Sequence, residues 1–242
     1  MRNIKGLVLP LALMAIIVFL GSCSSSKNVA YFQNSDYVDL SASKTLYDAR
    51  IMPKDQLTIT VSTTDPEAAV SFNMTVPTPY TVGQKTSYSQ AMLQMYLVDN
   101  EGYIEFPKIG RVKVGGLTKS EAENLIEDKI KPYMSATENP IVTVRMSSYS
   151  ISVLGEVARP GMFTVSNEKV NIFEALAMAG DLTIWGMRDN VKLVREDAIG
   201  KREIISLNLN DAAIVTGPYY YLQQNDILYV NPNKTKAKNS DI

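Results

Sequence analysis

Side chains able to do acid, base or nucleophilic work are sparse in this sequence. Histidine, the commonest general base and the commonest imidazole metal ligand, is absent. That excludes Ser-His-Asp and Cys-His chemistry. Carboxylate pairs can still serve, yet Glu67, Asp99, Glu101, Glu105, Glu156, Asp181 and Asp189 show no spacing that marks a site and read as solvated charge. No glycine stands in a phosphate-loop pattern with lysine and Ser/Thr. The residue types therefore point away from an enzyme, and neither cofactor nor metal site is expected.

The one legible piece of chemistry is Cys23, the sole cysteine of 242 residues. Arg2 and Lys5 give a positive start, an apolar stretch runs from Leu7 to Leu20, and Gly21 and Ser22 precede the thiol, as in an export signal. That stretch is about 14 residues, short of the roughly 20 needed to cross a bilayer as a helix. Leu20-Gly21-Ser22-Cys23 resembles the bacterial lipobox, in which the cysteine is acylated and becomes residue one of the mature protein. A small buried cysteine behind an ordinary signal is the alternative; position, small neighbours and apolar run together favour the lipid. Ser24 is not the aspartate that retains many enteric lipoproteins in the inner membrane, so outer-membrane anchoring is expected. With no second cysteine, internal disulfides are excluded and packing must hold the fold.

Binding chemistry of a second kind lies in the aromatics. Tyr219, Tyr220 and Tyr221, between Pro218 and Leu222, and the lone Trp185 are able to stack on sugar rings, although aromatics in a strand are more often core. Gly155, Pro160-Gly161 and Gly115-Gly116 offer exposed backbone amides, but turns need glycine for positive φ in any case. The chain has 24 basic and 25 acidic side chains, and two of the basic ones fall within residues 1–22. It carries no electrostatic footprint for nucleic acid.

Local signals place these residues on two small mixed units. Residues 23–46 are polar and aperiodic, a tether. The first unit spans 47–148. Leu57, Ile59 and Val61 alternate with polar residues as a half-buried strand, preceded by a turn at Pro53. Residues 62–95 hold Pro66, Pro77 and Pro79 and read as a long contact loop or a tolerated surface insertion. Asp99-Asn100-Glu101-Gly102 reads as a hairpin turn, and short strand material follows to Val114. Thr118 and Glu121 form a capping box, with Ala122, Leu125, Ile126 and Ile130 on one helical face, and the strand over 140–146 closes the unit.

The second unit spans 149–231. Val153-Leu154 and Phe163–Val165 flank a turn, Asn171 and Glu174 start a short helix stopped at Gly180, and three strands follow at 190–194, 203–209 and 226–230. Residues 232–242, with Lys234, Lys236 and Lys238, read as a disordered tail. The fold class is α+β.

The segments "IMPKDQLTITV", "YLVDNEGYIEFPKIGRVKVGGLTKSEAENLI" and "NPIVTVRM" resemble the polysaccharide export domain of the outer-membrane polysaccharide export family, the Wza-type lipoproteins. "VLGEVARPGMFTV", "NIFEALAMAGDL", "VKLVRE" and "QQNDILYV" resemble its soluble-ligand-binding β-grasp (SLBB) domain. The resemblance implies a homo-oligomeric ring around a capsular or exopolysaccharide, tethered at Cys23 and facing the periplasm. It also implies an inner-membrane polysaccharide export or chain-length partner, and it implies no chemistry. A lipid-anchored glycan-binding module that forms no conduit is the alternative. Where the family often has Pro-Gly-Asp and Ala-Gly-Gly, this chain has Pro53-Lys54-Asp55 and Ala179-Gly180-Asp181. The first departure predicts a turn that avoids positive φ. Family members can end in an amphipathic pore helix; the lysine-bearing tail offers no apolar face, so a separate outer-membrane protein is an expected partner.

Overall fold

The computed structural model describes residues 29–39, 41, 48–76, 92–167, 169–197 and 199–239. The signal segment, Cys23 and the start of the expected tether lie outside them.

Alternation builds the first unit. In β1 (Gln56–Ser62), Leu57, Ile59 and Val61 are buried and the residues between them face outward. After β1 come α1 (Pro66–Val70), β2 (Thr75–Val76), β3 (Met92–Leu93) and β4 (Tyr96–Leu97). The described parts of the expected long loop are thus a helical turn capped by Asp65 and a β2–β3 pair, Val76 opposite Met92. β5 (Tyr103–Phe106) pairs with β6 (Gly110–Lys113). The Asp99–Gly102 turn does reverse the chain, the Asp99 amide donating to the Tyr103 carbonyl. The strand-paired hairpin comes one turn later, because β4 pairs with β1 instead.

Helix α2 (Lys119–Ile130) carries the capping box in full, Thr118 Oγ1 accepting from the Glu121 amide and Glu121 Oε2 from the Thr118 amide. Its buried face, Ala122, Ile126 and Ile130, packs on β7 (Ile141–Met146). The sheet order is β4-β1-β7, antiparallel throughout. One apolar cluster, from Ile51 to Val144, forms this core.

The second core runs from Tyr149 to Val230. β8 (Ser150–Gly155) pairs antiparallel with β9 (Gly161–Thr164); α3 (Ile172–Met178) follows, with Asn171 and Glu174 forming both halves of a capping box. α3 stops where the Gly180 amide donates to Ala177 O and the Asp181 amide to Leu176 O, with both residues at positive φ. β10 (Gly186–Glu196), β11 (Arg202–Leu207) and β12 (Ile227–Pro232) complete a sheet ordered β11-β10-β12-β8-β9. The β12–β8 pair is parallel. Gly155 is structural: at φ +86° an added Cβ would lie 2.1 Å from the Val230 carbonyl oxygen.

Three expectations need correction. The Pro53-Lys54-Asp55 turn does not avoid positive φ, since Lys54 stands at +72°. The Lys54 amide and Asp55 carbonyl both bond Val98, and that clamp imposes the conformation. The expected disordered tail contains α4 (Lys234–Asn239), because Asn233 Oδ1 accepts from the Lys236 amide while the Asn233 amide is held by the Trp185 carbonyl. Finally, residues 31–34 of the expected tether are docked on the second unit. The Phe32 and Gln33 amides donate to Leu209 O and Asn210 O, and Tyr31 packs against the second core.

Candidate functional site

Most of the singled-out carboxylates are engaged in structure. Asp99 and Glu101 accept from Arg111 Nη2 at 2.6 and 3.1 Å, and Glu105 lies 3.6 Å from Arg111 Nε. All are exposed, so they tune the surface more than the fold. Glu156 accepts from Thr183 Oγ1 and Asp181 from the Tyr31 hydroxyl. Arg188, under the Tyr31 ring, is buried.

The tyrosines are not in a strand. They lie in the turn between the 3-10 helix Ala212–Thr216 and β12. Asp211 caps that helix, accepting from the Ala213 amide. The Gly217 carbonyl then takes the Tyr220 amide, the Tyr220 carbonyl takes the Ile172 amide, and the Val170 carbonyl takes the Leu222 amide. From β10, Arg195 forks onto Asp226 and donates a further bond to the Tyr221 carbonyl at 3.0 Å. Its guanidinium lies 5.6 Å from the Tyr219 ring, within cation–π range.

Tyr220 is braced by Phe173 and Tyr221 at 6.4 and 4.9 Å between ring centres. Burial, then Tyr221 and Glu174, push its hydroxyl pKa up. Tyr219 and Tyr220 line a cavity of about 190 Å³ with Ser206, Asn208, Asp211 and Ile214.

Trp185 is elsewhere. It precedes β10, whereas Arg195, the tyrosines' anchor, lies at that strand's far end. It is 37% exposed beside the more exposed Ile184, so the structure separates Trp185 from Tyr219–Tyr221.

Sequence reasoning missed the N-terminal strap. Tyr31 meets Phe173 edge-on at 5.5 Å and Phe32 meets it at 4.5 Å, extending the aromatic array. Asn34 donates to Asp211 Oδ1 at 2.9 Å and accepts from the Ala212 amide at 2.7 Å. The Ala213 amide and the Asn34 carboxamide hold Asp211 below the usual carboxylate range. Only the Tyr31-Phe32 pair within a polar run hinted at docking.

A second cavity, about 200 Å³, lies between the units and is lined by Arg50, Met52, Tyr149, Asp197 and Gln224. Gln224 is already spent on Ser148 and the Ser150 amide. The outer face of the five-stranded sheet carries a transverse row, Ile204, Val194, Ile227, Ser152 and Met162, set by the strand registers. Ile204 and Met162 are 70% and 75% exposed, where a sheet face turned to water is ordinarily polar.

Residues 43–147 match the polysaccharide biosynthesis/export protein family, and residues 150–206 match the SLBB domain. An export-domain segment is thus followed in this chain by an SLBB segment. Over 143 residues the chain is 29% identical to the EPS I polysaccharide export outer membrane protein EpsA of Ralstonia solanacearum, covering 57% of the chain and 36% of that relative. It is 34% identical over 104 residues to the protein of the same description from Ralstonia nicotianae, covering 41% of the chain and 26% of that relative. The chain thus spans about a third of the length of the curated relatives it matches. Those relatives are named as export proteins, not as enzymes.

Proposed function

We propose that this chain is a lipid-anchored component of a capsular or exopolysaccharide export apparatus, held at the outer membrane through Cys23 and facing the periplasm. The observation that carries the reading is the succession of an export domain and an SLBB domain in one chain. Two relatives named as outer membrane export proteins support the location. Deleting the gene and measuring surface polysaccharide tests it. Loss of the polymer is the expected result, and unchanged polymer would sink the reading. Replacing Cys23 by serine abolishes fatty-acid labelling and releases the protein to a soluble fraction; continued labelling removes the lipid from the account.

The finer reading is a homo-oligomeric ring around the polymer, working with an inner-membrane export or chain-length protein and a separate outer-membrane protein. Its support is the uncovered apolar row on the second sheet, together with exposed Val76, Met92, Met95 and Leu97 on the first unit. A head-to-tail contact joins unlike surfaces and gives a ring when the rotation between neighbours closes. Trp185, next to exposed Ile184, is assigned to assembly on the same ground. Negative-stain images of the detergent-solubilised protein are expected to show closed rings that Ile204→Glu disperses. Monomers that bind glycan would favour the other reading, a lipid-anchored glycan-binding module, which the tyrosine-lined cavity supports.

A further inference from the structure

We propose that the cavity between Tyr219, Tyr220 and the Asn208–Asp211 turn is a subsite for a single sugar residue, with Asn34 of the strap as the positioning residue for Asp211. The inference rests on the export reading for the origin of the sugar, and on the geometry below for the site itself.

Sugar recognition needs an aromatic platform for the C–H face of the ring and fixed polar groups for its hydroxyls. The platform is present: Tyr219 is half-buried against the second core, and Tyr220 is braced by Phe173 and Tyr221. Neither ring can turn away without breaking those contacts. The polar groups are present as well. Asp211 spends Oδ1 on the Ala213 amide and the Asn34 carboxamide, and among the described residues Oδ2 takes no protein hydrogen bond. Asn208 spends Oδ1 on the Asn210 amide, and its Nδ2 has no protein acceptor among the described residues. A fixed acceptor and a fixed donor therefore remain at the rim, matching a hydroxyl pair that both donates and accepts.

Size narrows the occupant. At about 190 Å³ the cavity falls below the roughly 300–1,000 Å³ of sites that enclose a whole small ligand. It takes one ring of a longer chain. A moving polymer requires contacts favourable enough to engage and weak enough to release, repeated along the path. An open subsite meets that requirement, with a dissociation constant on the order of millimolar. The anionic Asp211 carboxylate selects neutral or amino sugars over uronates at this position. The aliphatic row on the outer sheet face offers no comparable platform.

The strap supplies the second half of the inference. Asn34 holds Asp211 Oδ1 and the Ala212 amide at once, which leaves Oδ2 as the oxygen that this cavity-lining residue can offer. A residue far from the turn in sequence thus shapes the subsite.

The test is a protein-observed NMR titration of the full chain with oligosaccharides cut from the surface polysaccharide of the producing cell. Shifts are expected at Tyr219, Tyr220 and the Asn208 side-chain amide. Tyr220→Ala weakens binding at least tenfold, Tyr220→Phe retains it, and Asn208→Ala, at an exposed position away from either core, weakens it severalfold. Trp185→Ala leaves it unchanged. Asn34→Ala weakens binding in the wild-type background and has no further effect in the Asp211→Ala background, the coupling expected of a residue that acts through Asp211. Binding that is absent, maps elsewhere, or survives both Tyr220→Ala and Asn208→Ala overturns the subsite. If gene deletion removes the surface polymer and the oligosaccharides do not bind, the subsite alone fails. If binding is found and deletion leaves the polymer intact, the export reading alone fails.

Discussion

The turn before β1 and the turn before β12 are built alike and defended differently. In each, a residue at positive φ, Lys54 or Asn225, is followed by a buried aspartate, Asp55 or Asp226, that opens a central strand. Each aspartate reaches back three residues with Oδ2, to the Met52 amide at 2.8 Å or the Gln223 amide at 2.7 Å. Each turn is clamped to a neighbouring strand, at Val98 in the first unit and at Ser150 and Ser152 in the second. The electrostatics then diverge. Asp226 is met by the Arg195 fork, with contacts of 2.6 to 3.2 Å. Among the described residues Asp55 has no cation beside it, and its Oδ1 is buried without a partner. The same backbone solution thus tolerates an ion pair or a lone carboxyl, and the two choices carry different liabilities.

The largest expected effect comes from removing one member of the pair. Burial pushes the Asp226 carboxyl up, and the Arg195 fork opposes that shift. Asp226→Ala removes one member of a buried ion pair, a loss of about 3–5 kcal/mol. The same change also loosens the Tyr221 carbonyl, which Arg195 holds. Asp55→Ala strands no charge and loses one backbone bond, about 1 kcal/mol. Urea denaturation of both variants checks the ranking. If Asp226→Ala is no worse than Asp55→Ala, the contrast between the turns is wrong.

How much of this was legible beforehand follows from sequence distance. Both capping boxes, the Leu57-Ile59-Val61 alternation and the Gly180 stop are local and were readable. The Arg195–Asp226 pair is 31 residues apart, and the strap meets Asp211 across 177. No periodicity carries such contacts. Tyr219–Tyr221 were singled out for their residue types, but their partners Phe173, Asn208 and Asp211 come from other elements. Trp185 was grouped with them only because it too is aromatic. The matched turns were hidden as well, since "PKDQL" and "QNDIL" share only their aspartate and final leucine; the common feature is a backbone conformation.

The next effect is one of pH. Burial raises the Asp55 pKa to about 6, against an ordinary 3.8, with the Met52 amide opposing. Between those values the folded state holds a proton that the unfolded chain has released. Its contribution to stability is therefore fully present below the ordinary value and is lost as pH rises through about 6, roughly 3 kcal/mol in all. Carboxylates held low, such as Asp99, Glu121 and Asp211, act in the opposite sense as pH falls. The difference between wild type and Asp55→Asn isolates the buried group. Calorimetric scans from pH 4 to pH 8 should show Asp55→Asn gaining on wild type as pH rises. A constant difference across that range would mean that Asp55 does not titrate there.

The smallest effect separates the two turns by backbone alone. A non-glycine residue in the left-handed region costs on the order of 1 kcal/mol, and asparagine is among the residues that enter it most readily. Lys54 at φ +72° carries that strain on an exposed side chain, while Asn225 at +64° largely escapes it. Glycine relieves the strain, but its freer unfolded chain takes back about 0.4–1 kcal/mol. Both turn amides keep their bonds, Lys54 to Val98 and Asn225 to Ser150, because glycine retains the N–H. Lys54→Gly should therefore stabilise the first unit by about 0.5 kcal/mol, a rise in Tm of roughly 2–4 °C for a domain of this size. Asn225→Gly should be neutral or slightly destabilising in the second. Equal gains from both substitutions would show that the clamping strand, not the residue at the bend, sets the strain, and would remove the last difference between the turns that does not depend on charge.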